Sequence, residues 1–549
     1  MPPSSDSARD TTPSGTGAPP PSRLTSYRDS RLGVFSLLLA LRIVNALTLR
    51  TFFQPDEFFQ SLEPAWQLAF GQTSNAWITW EWRTQLRSSL HPALFATVYR
   101  VAADLGAFCG LNLPARAELL LAAPKLIQAV FAALLDCYTW KLAEKAYGRG
   151  SRTALTTPLR SFGYKHAAAS TTEFEWSSDS EVTDNARSAV LACSIASDRL
   201  YYEVWTLPPL RFLYFNIAQS LAVFYGSNRA DYYITEGLPL LLTTALPFAA
   251  IGIWQSLHGS EPERSPMTGE SSTSSPVTTP TETAIQRSIL KRLAWASLVV
   301  TLTLSLISHK EVRFLYPILP FLHLIAAKPL ASFLPTHAPI SRKTVIFLLF
   351  ATNLLLAGYA SQIHQRGVID VLSYIRHKHE TRNGLSASSS STSQTRPISN
   401  TTVGFLMPCH STPWRSHLIY PQISAWALTC EPPIDIPLPE RSTYLDEADE
   451  FYLKPGPAAW LRSNMESTDT IQSGGSRSGQ HWMKNDPRFK RKYKREWPQN
   501  LVFFEQLEGT LKEHLDGTRY TECWRGFNSH FHDDHRRVGD VIVWCLDGA

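Results

Sequence analysis

The stretch LGVFSLLLALRIVNALTLRTFFQPDEFFQ, residues 32–60, runs from a membrane-length apolar segment straight into an acidic pair. Its apolar part is close to the roughly 20 residues that cross a bilayer as a helix. Three arginines lie just before it, within 23–31, and the positive-inside rule then places the N-terminus in the cytosol. The segment begins too late and is too long for a usual signal peptide. We therefore predict an uncleaved first span, followed by a lumenal loop that carries Asp56 and Glu57.

Further apolar runs of membrane length follow and predict a polytopic membrane protein. The predicted spans lie at 32–51, 88–110, 117–140, 236–257, 288–308, 313–333 and 342–363, with a weaker apolar run at 186–200. Strict alternation of these spans places the basic residues within 141–152 in the lumen, against the positive-inside rule. The conflict disappears if 88–110, which contains Pro92, Arg100 and Asp104, lies in the membrane plane. Both arrangements stay open.

The composition changes along the chain and predicts its domains. Residues 1–31 are rich in Ser, Thr, Pro and Gly and predict a disordered cytosolic tail. A multispan catalytic region follows over 32–363, with a lumenal catalytic loop at 51–88. Residues 364–549 alternate short apolar runs with Pro and Gly turns, which predicts a small β-rich or α+β domain that is soluble and lumenal.

The cysteines of the C-terminal part favour an oxidising compartment. They lie at Cys409, Cys430, Cys523 and Cys545. Four cysteines in one soluble region suit two disulfides, although four buried free thiols are the alternative and the pairing is not fixed by the sequence. A glycosylation sequon at Asn400 also favours the lumen.

The acidic pair lies beside aromatic and apolar residues at a predicted membrane face. Partial desolvation at such a position raises the pKa of a carboxylate and makes it a stronger base. This favours a general base in a lumenal active site. The alternative is structural, because Pro-Asp-Glu before an apolar helix is also a good N-terminal capping signature.

Two further clusters carry groups that suit a phosphate. TWEWRTQLRSSLHP, 79–92, has its charged and imidazole groups beside tryptophans, and SHKEVRFLYP, 308–317, connects two apolar runs. The candidate residues are Glu81, Arg83, Arg87 and His91 in the first cluster and His309, Lys310, Glu311 and Arg313 in the second. The structural alternatives are an interfacial aromatic belt with snorkelling arginines and a charged turn between helices.

Lys125 lies inside the predicted span at 117–140. An ionisable residue within a span is by default a candidate functional group. A lysine at this place can also extend its side chain to the membrane face.

Several function classes are excluded by what the sequence contains. The net charge of +5 is small for 549 residues and argues against a nucleic-acid partner. The stretch HFHDDHRR, 530–537, is rich in metal-ligand types, but its spacing fits no zinc pattern, and a polar surface loop explains it better. No Gly-rich phosphate loop and no Ser-His-Asp set is present in a defensible form.

Five blocks resemble, in this order, the dolichol-phosphate-mannose-dependent mannosyltransferases of glycosyltransferase family 22. They are QPDEFFQSLEPAW, TWEWRTQLRSSLHP, DRLYYEVWTLPPLRFLYFN, YYITEGLPLL and SHKEVRFLYPILP. The C-terminal blocks resemble the fungal members of that family that act on GPI-anchor precursors. They are FLMPCHSTPWRSHLIYP, AWALTCEPP, YLDEADEFYL and CWRGFNSHFHDDHRRVGDVIVW. The matching blocks cover roughly half to two-thirds of the chain.

This resemblance implies an α-helical polytopic enzyme of the GT-C architecture in the endoplasmic reticulum membrane, with its active site in the lumen. The implied reaction transfers a third mannose, through an α-1,2 linkage, from dolichyl phosphate mannose to a GPI precursor lipid that already carries two. Because a β-linked sugar becomes α-linked, the implied reaction is inverting. The implied partners are the two lipids and the membrane.

The resemblance also implies roles for the candidate residues. Asp56 is expected to be the base, and Glu57 to orient the acceptor or share that role. The donor phosphate is expected to bind His309, Lys310 and Arg313, with Arg87 a weaker candidate, and Trp80, Glu81 and Arg199 are expected to bind the acceptor or support the site. Because a monophosphate leaves, basic residues can replace a metal ion, and neither a metal nor a cofactor is predicted.

The sequence departs from the family pattern between 149 and 197, where a short polar stretch replaces further spans. A deletion or a mis-joined gene model produces such a pattern. One alternative is therefore an inactive, truncated membrane protein. Another is a related α-mannosyltransferase that acts on a different lipid-linked glycan.

Overall fold

The computed structural model describes most of the chain. The described residues are 31–52, 54–148, 180–218, 224, 226–258, 280–335, 337–385, 398–434, 436–472, 494–532 and 534–546. The predicted tail at 1–31 lies outside them except for Arg31. So does the larger part of the atypical stretch at 149–197.

Helices dominate the described residues up to 382. The α-helices of this part are α1 Arg31–Thr48, α2 Pro55–Glu57, α3 Glu63–Phe70, α4 Trp80–Arg83, α5 Leu90–Phe108, α6 Leu113–Tyr147, α7 Ser180–Tyr202, α8 Pro208–Leu213, α9 Leu238–Leu242, α10 Leu246–His258, α11 Pro280–Ser305, α12 Leu319–Phe333, α13 Ile340–Gln362 and α14 Gly367–Arg382. Shorter π and 3₁₀ turns are Phe58–Leu62, Gln72–Ser74, Tyr214–Ala218, Tyr233–Gly237, Thr243–Ala245 and Val312–Ile318.

Within the described residues, five helical stretches are long and apolar enough to cross a membrane. They are Leu113–Tyr147, Tyr233–His258, Ala284–Ser305, Val312–Phe333 and Ile340–Arg382, and a shorter apolar helix covers Leu32–Thr48. The predicted span at 88–110 and the weaker run at 186–200 form helices α5 and α7, which are not among the five. The predicted helical polytopic fold is confirmed.

Helix α6 is the long central helix of the site. Asn112 begins it, because its side chain accepts a hydrogen bond from the N–H of Ala115 at 3.0 Å and caps the first turn. Gly148 ends it with φ +87°, a conformation that favours glycine. Inside the membrane region, Asp136 on α6 binds Arg42 on α1 with 2.6 Å between carboxylate and guanidinium. This ion pair fixes α1 against α6.

The C-terminal part forms a five-stranded sheet flanked by short helices. Its strands are β1 Thr401–Leu406, β2 Ile423–Ala427, β3 Asn500–Phe504, β4 Tyr520–Gly526 and β5 Val541–Leu546, in the order β2-β1-β3-β5-β4. The first three are parallel, and β5 runs antiparallel to both β3 and β4. Its helices are α15 Arg415–Leu418, α16 Glu447–Tyr452, α17 Pro457–Asn464, α18 Asp469–Gln472 and α19 Glu508–His514, with 3₁₀ turns at Leu438–Thr443 and Glu505–Leu507. The α+β form of the prediction is confirmed.

The two faces of this sheet pack against different partners. Ile542 and Trp544 belong to a core that is closed by α16, α17 and α19. Val541 and Val543 point to the opposite face, as alternation along a strand requires, and share a core with Phe59 of the helical region. The domain is therefore joined to the membrane region by a continuous apolar core, which brings its loops to the site.

The four C-terminal cysteines form the two disulfides that the sequence predicts. Cys409 pairs with Cys430 and Cys523 with Cys545. The first bridge joins the segments that follow the parallel strands β1 and β2, and both of its cysteines line the cavity between this domain and the membrane helices.

Candidate active site

The acidic pair lies in the first turn of a helical segment that runs over 55–70. Pro55 suits the start, because the N–H that a proline lacks has no partner in a first turn. Phe58–Leu62 form a wider π turn, and Pro64 follows it with no N–H to donate to the preceding turn. The N-cap residue is Gln54, without a side-chain capping bond. The capping interpretation of the acidic pair is therefore not supported.

A chain of alternating charges holds the Asp56 carboxylate. Asp56 Oδ2 lies 2.5 Å from Nη2 of Arg313. Arg313 Nε lies 2.6 Å from Glu311, which in turn pairs with Nε2 of His309 at 3.0 Å. The structure thus brings the acidic pair at 56–57 and the turn at 308–317 together, as the functional interpretation of both motifs requires.

The two neighbouring acids have different protonation states. Burial pushes the pKa of Asp56 upward, but the charge of Arg313, assisted by that of Arg87, outweighs this effect and lowers the pKa below its usual value. Burial raises the pKa of Glu57 to about 8, although Arg313 opposes the rise. At neutral pH Asp56 is therefore ionised and able to accept a proton. Glu57 is mostly protonated and able to donate a hydrogen bond.

His309 and Arg313 line the cavity in front of the acidic pair. The hydrogen bond with Glu311 raises the pKa of His309, which favours its cationic form. Lys310 does not line the cavity and is 4% exposed. Its Nζ donates to the carbonyl of Asn228 at 3.2 Å, and its backbone N–H donates to the side chain of the same residue at 2.9 Å. Lys310 thus holds the loop that contains Asn228. A contact between its ammonium and a phosphate would require the ammonium to leave the carbonyl of Asn228.

The cluster at 79–92 forms another wall of the cavity. Trp80, Glu81 and Arg87 all line it. Glu81 accepts a hydrogen bond from Gln60 at 3.2 Å and forms an ion pair with Arg87 at 3.3 Å. Glu81 therefore ties Arg87 to the same helical segment that carries the acidic pair.

Arg199 lies away from this wall and does not line the cavity. Its guanidinium lies over the ring of Trp205, 5.8 Å from the centroid. Its neighbour Asp198 is buried and accepts hydrogen bonds from the backbone and hydroxyl of Ser89 at 2.5 and 2.9 Å. The position of Arg199 fits a supporting role rather than a contact with a substrate.

The cavity has a volume of about 990 Å³, near the upper end for small-molecule sites. Asp56, His309, Glu311 and Arg313 line one part of it, whereas Leu49, directly after α1, and Leu121, Ala129 and Leu135 of α6 contribute apolar groups to another part. A cavity with a charged part and an apolar part suits a ligand that has both a polar and an apolar portion, such as a lipid that carries a sugar.

The C-terminal domain completes the cavity with His410, His417 and Arg537, together with Cys409 and Cys430. The ring of His410 stacks on Phe59 with 4.0 Å between centroids, and His417 meets Phe58 edge-on at 5.3 Å. Burial lowers the pKa of both histidines, so both rings are neutral. The domain is therefore part of the site.

Glu63 fixes the C-terminal domain to the site helix. Its carboxylate is fully buried and accepts hydrogen bonds from the backbone N–H groups of Trp77 at 3.0 Å and Ser416 at 2.9 Å. Ser416 precedes His417 on α15, so this contact sets the distance between that histidine and α3.

The comparison with protein families bears on the same residues. The model of the Alg9-like mannosyltransferase family matches residues 33–174 and 183–419, which include the acidic pair, both charged clusters and His410. The chain belongs to this family. It is therefore a glycosyltransferase, as the sequence predicted from its resemblance to family 22.

Individual members of the Alg9-like mannosyltransferase family are similar over nearly the whole chain. The chain is 45% identical to "GPI mannosyltransferase 3" of Emericella nidulans over 100% of this chain and 83% of that protein. It is 41% identical to the protein of the same name from Aspergillus fumigatus, over 96% and 79%. It is 29% identical to "GPI alpha-1,2-mannosyltransferase 3" of Homo sapiens, over 92% and 85%. The predicted resemblance to fungal proteins of this kind is confirmed.

Among solved structures, the chain resembles ArnT from Cupriavidus metallidurans in the apo state. The TM-score is 0.38 at 12% identity, over 96% of this chain and 98% of that one. The GT-C architecture stays an expectation from the sequence resemblance, and family membership shows a glycosyltransferase.

The sequence did not reveal His410, His417 and Arg537 of the C-terminal domain as site residues. His410 and His417 lie in a block that served only to mark the resemblance, and Arg537 lies in a stretch interpreted as a surface loop. It also missed Asp136, although opposite charges at Arg42 and Asp136 inside two apolar runs are a signal of pairing.

One group of potential metal ligands lies on the cavity wall. Cys409, His410 and Cys430 bring their ligand atoms within 4.8 Å of one another. The two cysteines form a disulfide, however, and a disulfide offers no thiolate to a metal. The bridge instead holds His410 in a backbone conformation with φ +56°.

Replacing both Cys409 and Cys430 by Ala is expected to reduce mannosyl transfer, because the loop that stacks His410 on Phe59 loses its closure. The loss of stability is expected to be about 3 kcal/mol for a loop of this size. Transfer activity per folded molecule, measured on purified protein, checks the local effect.

The matched control replaces Cys523 and Cys545, whose bridge closes a loop of similar length away from the cavity. This control variant should be less stable than the wild type but should keep its transfer activity per folded molecule. Equal activities of the two double variants would contradict a role of the first bridge in the site.

Proposed function

We propose that this chain transfers the third mannose, in an α-1,2 linkage, from dolichyl phosphate mannose to a GPI precursor that carries two mannoses. The observation that carries the proposal is the ionised Asp56 carboxylate, held by Arg313 in a cavity with both a polar and an apolar part. The relatives at 45% and 41% identity are named GPI mannosyltransferase 3, which supports a GPI precursor as the acceptor.

The reaction is a single inverting displacement. The acceptor hydroxyl loses its proton to Asp56 as its oxygen attacks C1 of the β-linked mannose. The bond from C1 to the phosphate oxygen breaks, and its electron pair stays on dolichyl phosphate. Glu57, protonated at neutral pH, donates a hydrogen bond that orients a sugar hydroxyl.

The leaving phosphate gains negative charge as that bond breaks. Arg313 and His309 lie beside Asp56 and offer cationic donors for this charge. Because Arg313 also binds Asp56, a donor phosphate that competes for the guanidinium would release the carboxylate and raise its basicity. Basic side chains can therefore neutralise the charge of a leaving monophosphate, as a metal ion does for a leaving diphosphate. We propose that the transfer is metal-independent.

We propose further that the site faces the lumen of the endoplasmic reticulum. Asn400 is exposed directly before β1, and a sequon is modified only on the lumenal side. The protein from cells is therefore expected to carry a glycan that endoglycosidase removes, and the Asn400→Gln variant should migrate as the deglycosylated form does. An unmodified Asn400 in the full-length protein would count against this orientation.

Complementation tests the proposed function directly. The chain is expressed in cells that lack the third GPI mannosyltransferase, and the lipid intermediates are followed. The two-mannose precursor should disappear and three-mannose species should form. A precursor that persists, although the protein is present in the membrane, would favour the inactive alternative. Extension of a different lipid-linked glycan would instead favour another acceptor.

The pH dependence of transfer is expected to show the titration of the Glu57 carboxyl group. Two groups must keep a proton for activity, Glu57 with a pKa near 8 and His309 with a raised pKa. Activity is therefore present below these values and lost as the pH rises through them, with a limiting slope of about −2 in log(kcat/KM) against pH. Asp56, with its lowered pKa, stays ionised over the same range.

The Glu57→Gln variant keeps the hydrogen-bond donor and removes one titration. It should remain active, and its alkaline slope should fall to about −1. The His309→Gln variant provides the complementary control. An unchanged profile in Glu57→Gln would show that Glu57 does not act through its proton.

A further inference from the structure

Lys125 is a cationic group of the cavity that takes no part in the proposed transfer. Lys125 lies on α6 and lines the cavity. Among the described residues, no hydrogen bond or ion pair holds its ammonium. The charge of Glu118 acts on it, but that carboxylate is 61% exposed and binds Arg376 at 2.5 Å. A cation on a cavity wall without a close partner is costly and invites an anionic ligand.

Lys125 lies at the level where the membrane helices meet the C-terminal domain. Leu120, five residues before it, shares a core with Leu418 and Tyr420 of that domain. The charge of Lys125 acts on His417, and His417 contacts Phe58, which directly follows the acidic pair. Lys125 thus lies on the cavity wall close to the part that the C-terminal domain contributes.

The neighbours of Lys125 on the same face of α6 suit a lipid headgroup. Gln128 follows at i+3 and lines the cavity, and its side-chain oxygen is buried without a hydrogen-bond partner among the described residues. Leu121, Ala129 and Ala132 continue the face with apolar groups. One helix face therefore offers a cation, an amide and an apolar strip.

We propose that Lys125 binds the phosphate diester of the acceptor lipid and that Gln128 binds a hydroxyl of its headgroup. This inference rests on the proposed function, since it concerns the second substrate of the same cavity. The phosphate of the donor is attached to the transferred sugar, so it must lie beside Asp56, where Arg313 and His309 are. The phosphate of the acceptor is separated from the reacting hydroxyl by several rings and needs a cation of its own.

The first experiment measures binding without turnover. Purified full-length protein in detergent micelles is titrated with short-chain phosphatidylinositol. Lys125→Met is expected to weaken binding by about tenfold, because a charge-assisted contact is lost. Lys125→Arg should keep the affinity within about twofold, because it keeps the charge. The matched control is Lys141→Met on the same helix, since Lys141 lies outside the cavity over the ring of Tyr138.

Two results would overturn the inference. Wild-type affinity in a folded Lys125→Met variant would show that the ammonium does not bind the lipid. Equally tight binding of glycerophosphoinositol or inorganic phosphate would show a site for a soluble phosphate rather than for a lipid headgroup.

The second experiment separates the two substrates kinetically. In membranes, Lys125→Met should raise the KM of the acceptor by about tenfold and leave the KM of the donor unchanged. A rise in the KM of the donor alone would show that Lys125 binds the donor lipid and would contradict the inference. If the wild-type chain transfers no mannose but binds phosphatidylinositol through Lys125, the proposed function fails while the site stands.

Discussion

The Asp56→Asn variant is expected to lose mannosyl transfer by about 10²–10⁴-fold in kcat/KM. The amide has nearly the same shape and still accepts a hydrogen bond from Arg313, so the fold should persist. It cannot take a proton from the acceptor hydroxyl, however, and the displacement loses its base. The measurement is conversion of the two-mannose to the three-mannose precursor in membranes with equal amounts of each protein.

The Glu57→Gln variant is the matched control, because it makes the same chemical change one residue along the helix. Since Glu57 is already mostly protonated at neutral pH, its loss of activity should be small. If Glu57→Gln were inactive and Asp56→Asn active, the assignment of the base would be reversed. If both were fully active, the base would lie elsewhere.

A second large effect is expected inside the membrane region, at the ion pair between Arg42 and Asp136. The two side chains are 2% and 0% exposed, and removing one partner leaves the other charge buried. Asp136→Ala is therefore expected to destabilise the fold by about 3–5 kcal/mol. Thermal unfolding of the purified protein in detergent, together with its abundance in membranes, measures the effect.

The double variant Arg42→Met, Asp136→Leu tests whether the loss of stability comes from leaving one buried charge without the other. Because it removes both buried charges and keeps apolar volume, most of the lost stability should return. Single and double variants of equal stability would mean that the two charges do not interact. Since Arg42 also lines the cavity, stability rather than activity is the appropriate readout.

The sequence by itself predicted much of the site. The acidic pair at 56–57 and the turn at 308–317 were each singled out from local composition, and both lie on one cavity. Their residue types follow from chemistry, since a proton acceptor and a phosphate-binding cation are needed wherever a sugar leaves a phosphate. The helical membrane region also followed from the length of the apolar runs alone, because a bilayer imposes that length.

Local patterns were a poorer guide to which side chains point into the cavity. Lys310 lies between two residues that line it, yet its ammonium turns to the carbonyl of Asn228. Arg199 rests on Trp205 outside it. Orientation depends on which partners the rest of the fold offers, and those partners are distant in sequence.

Only the tertiary structure decided that the C-terminal domain belongs to the site. Its sheet buries Val541 and Val543 against the same core as Phe59, and this packing carries His410, His417 and Arg537 to the cavity wall. It also decided how the two acids differ, because the guanidinium of Arg313 meets Asp56 and burial acts on Glu57. A sequence determines which groups are present and how far an apolar run extends. Packing between distant segments determines which charges meet, and hence which of two adjacent carboxylates keeps its proton.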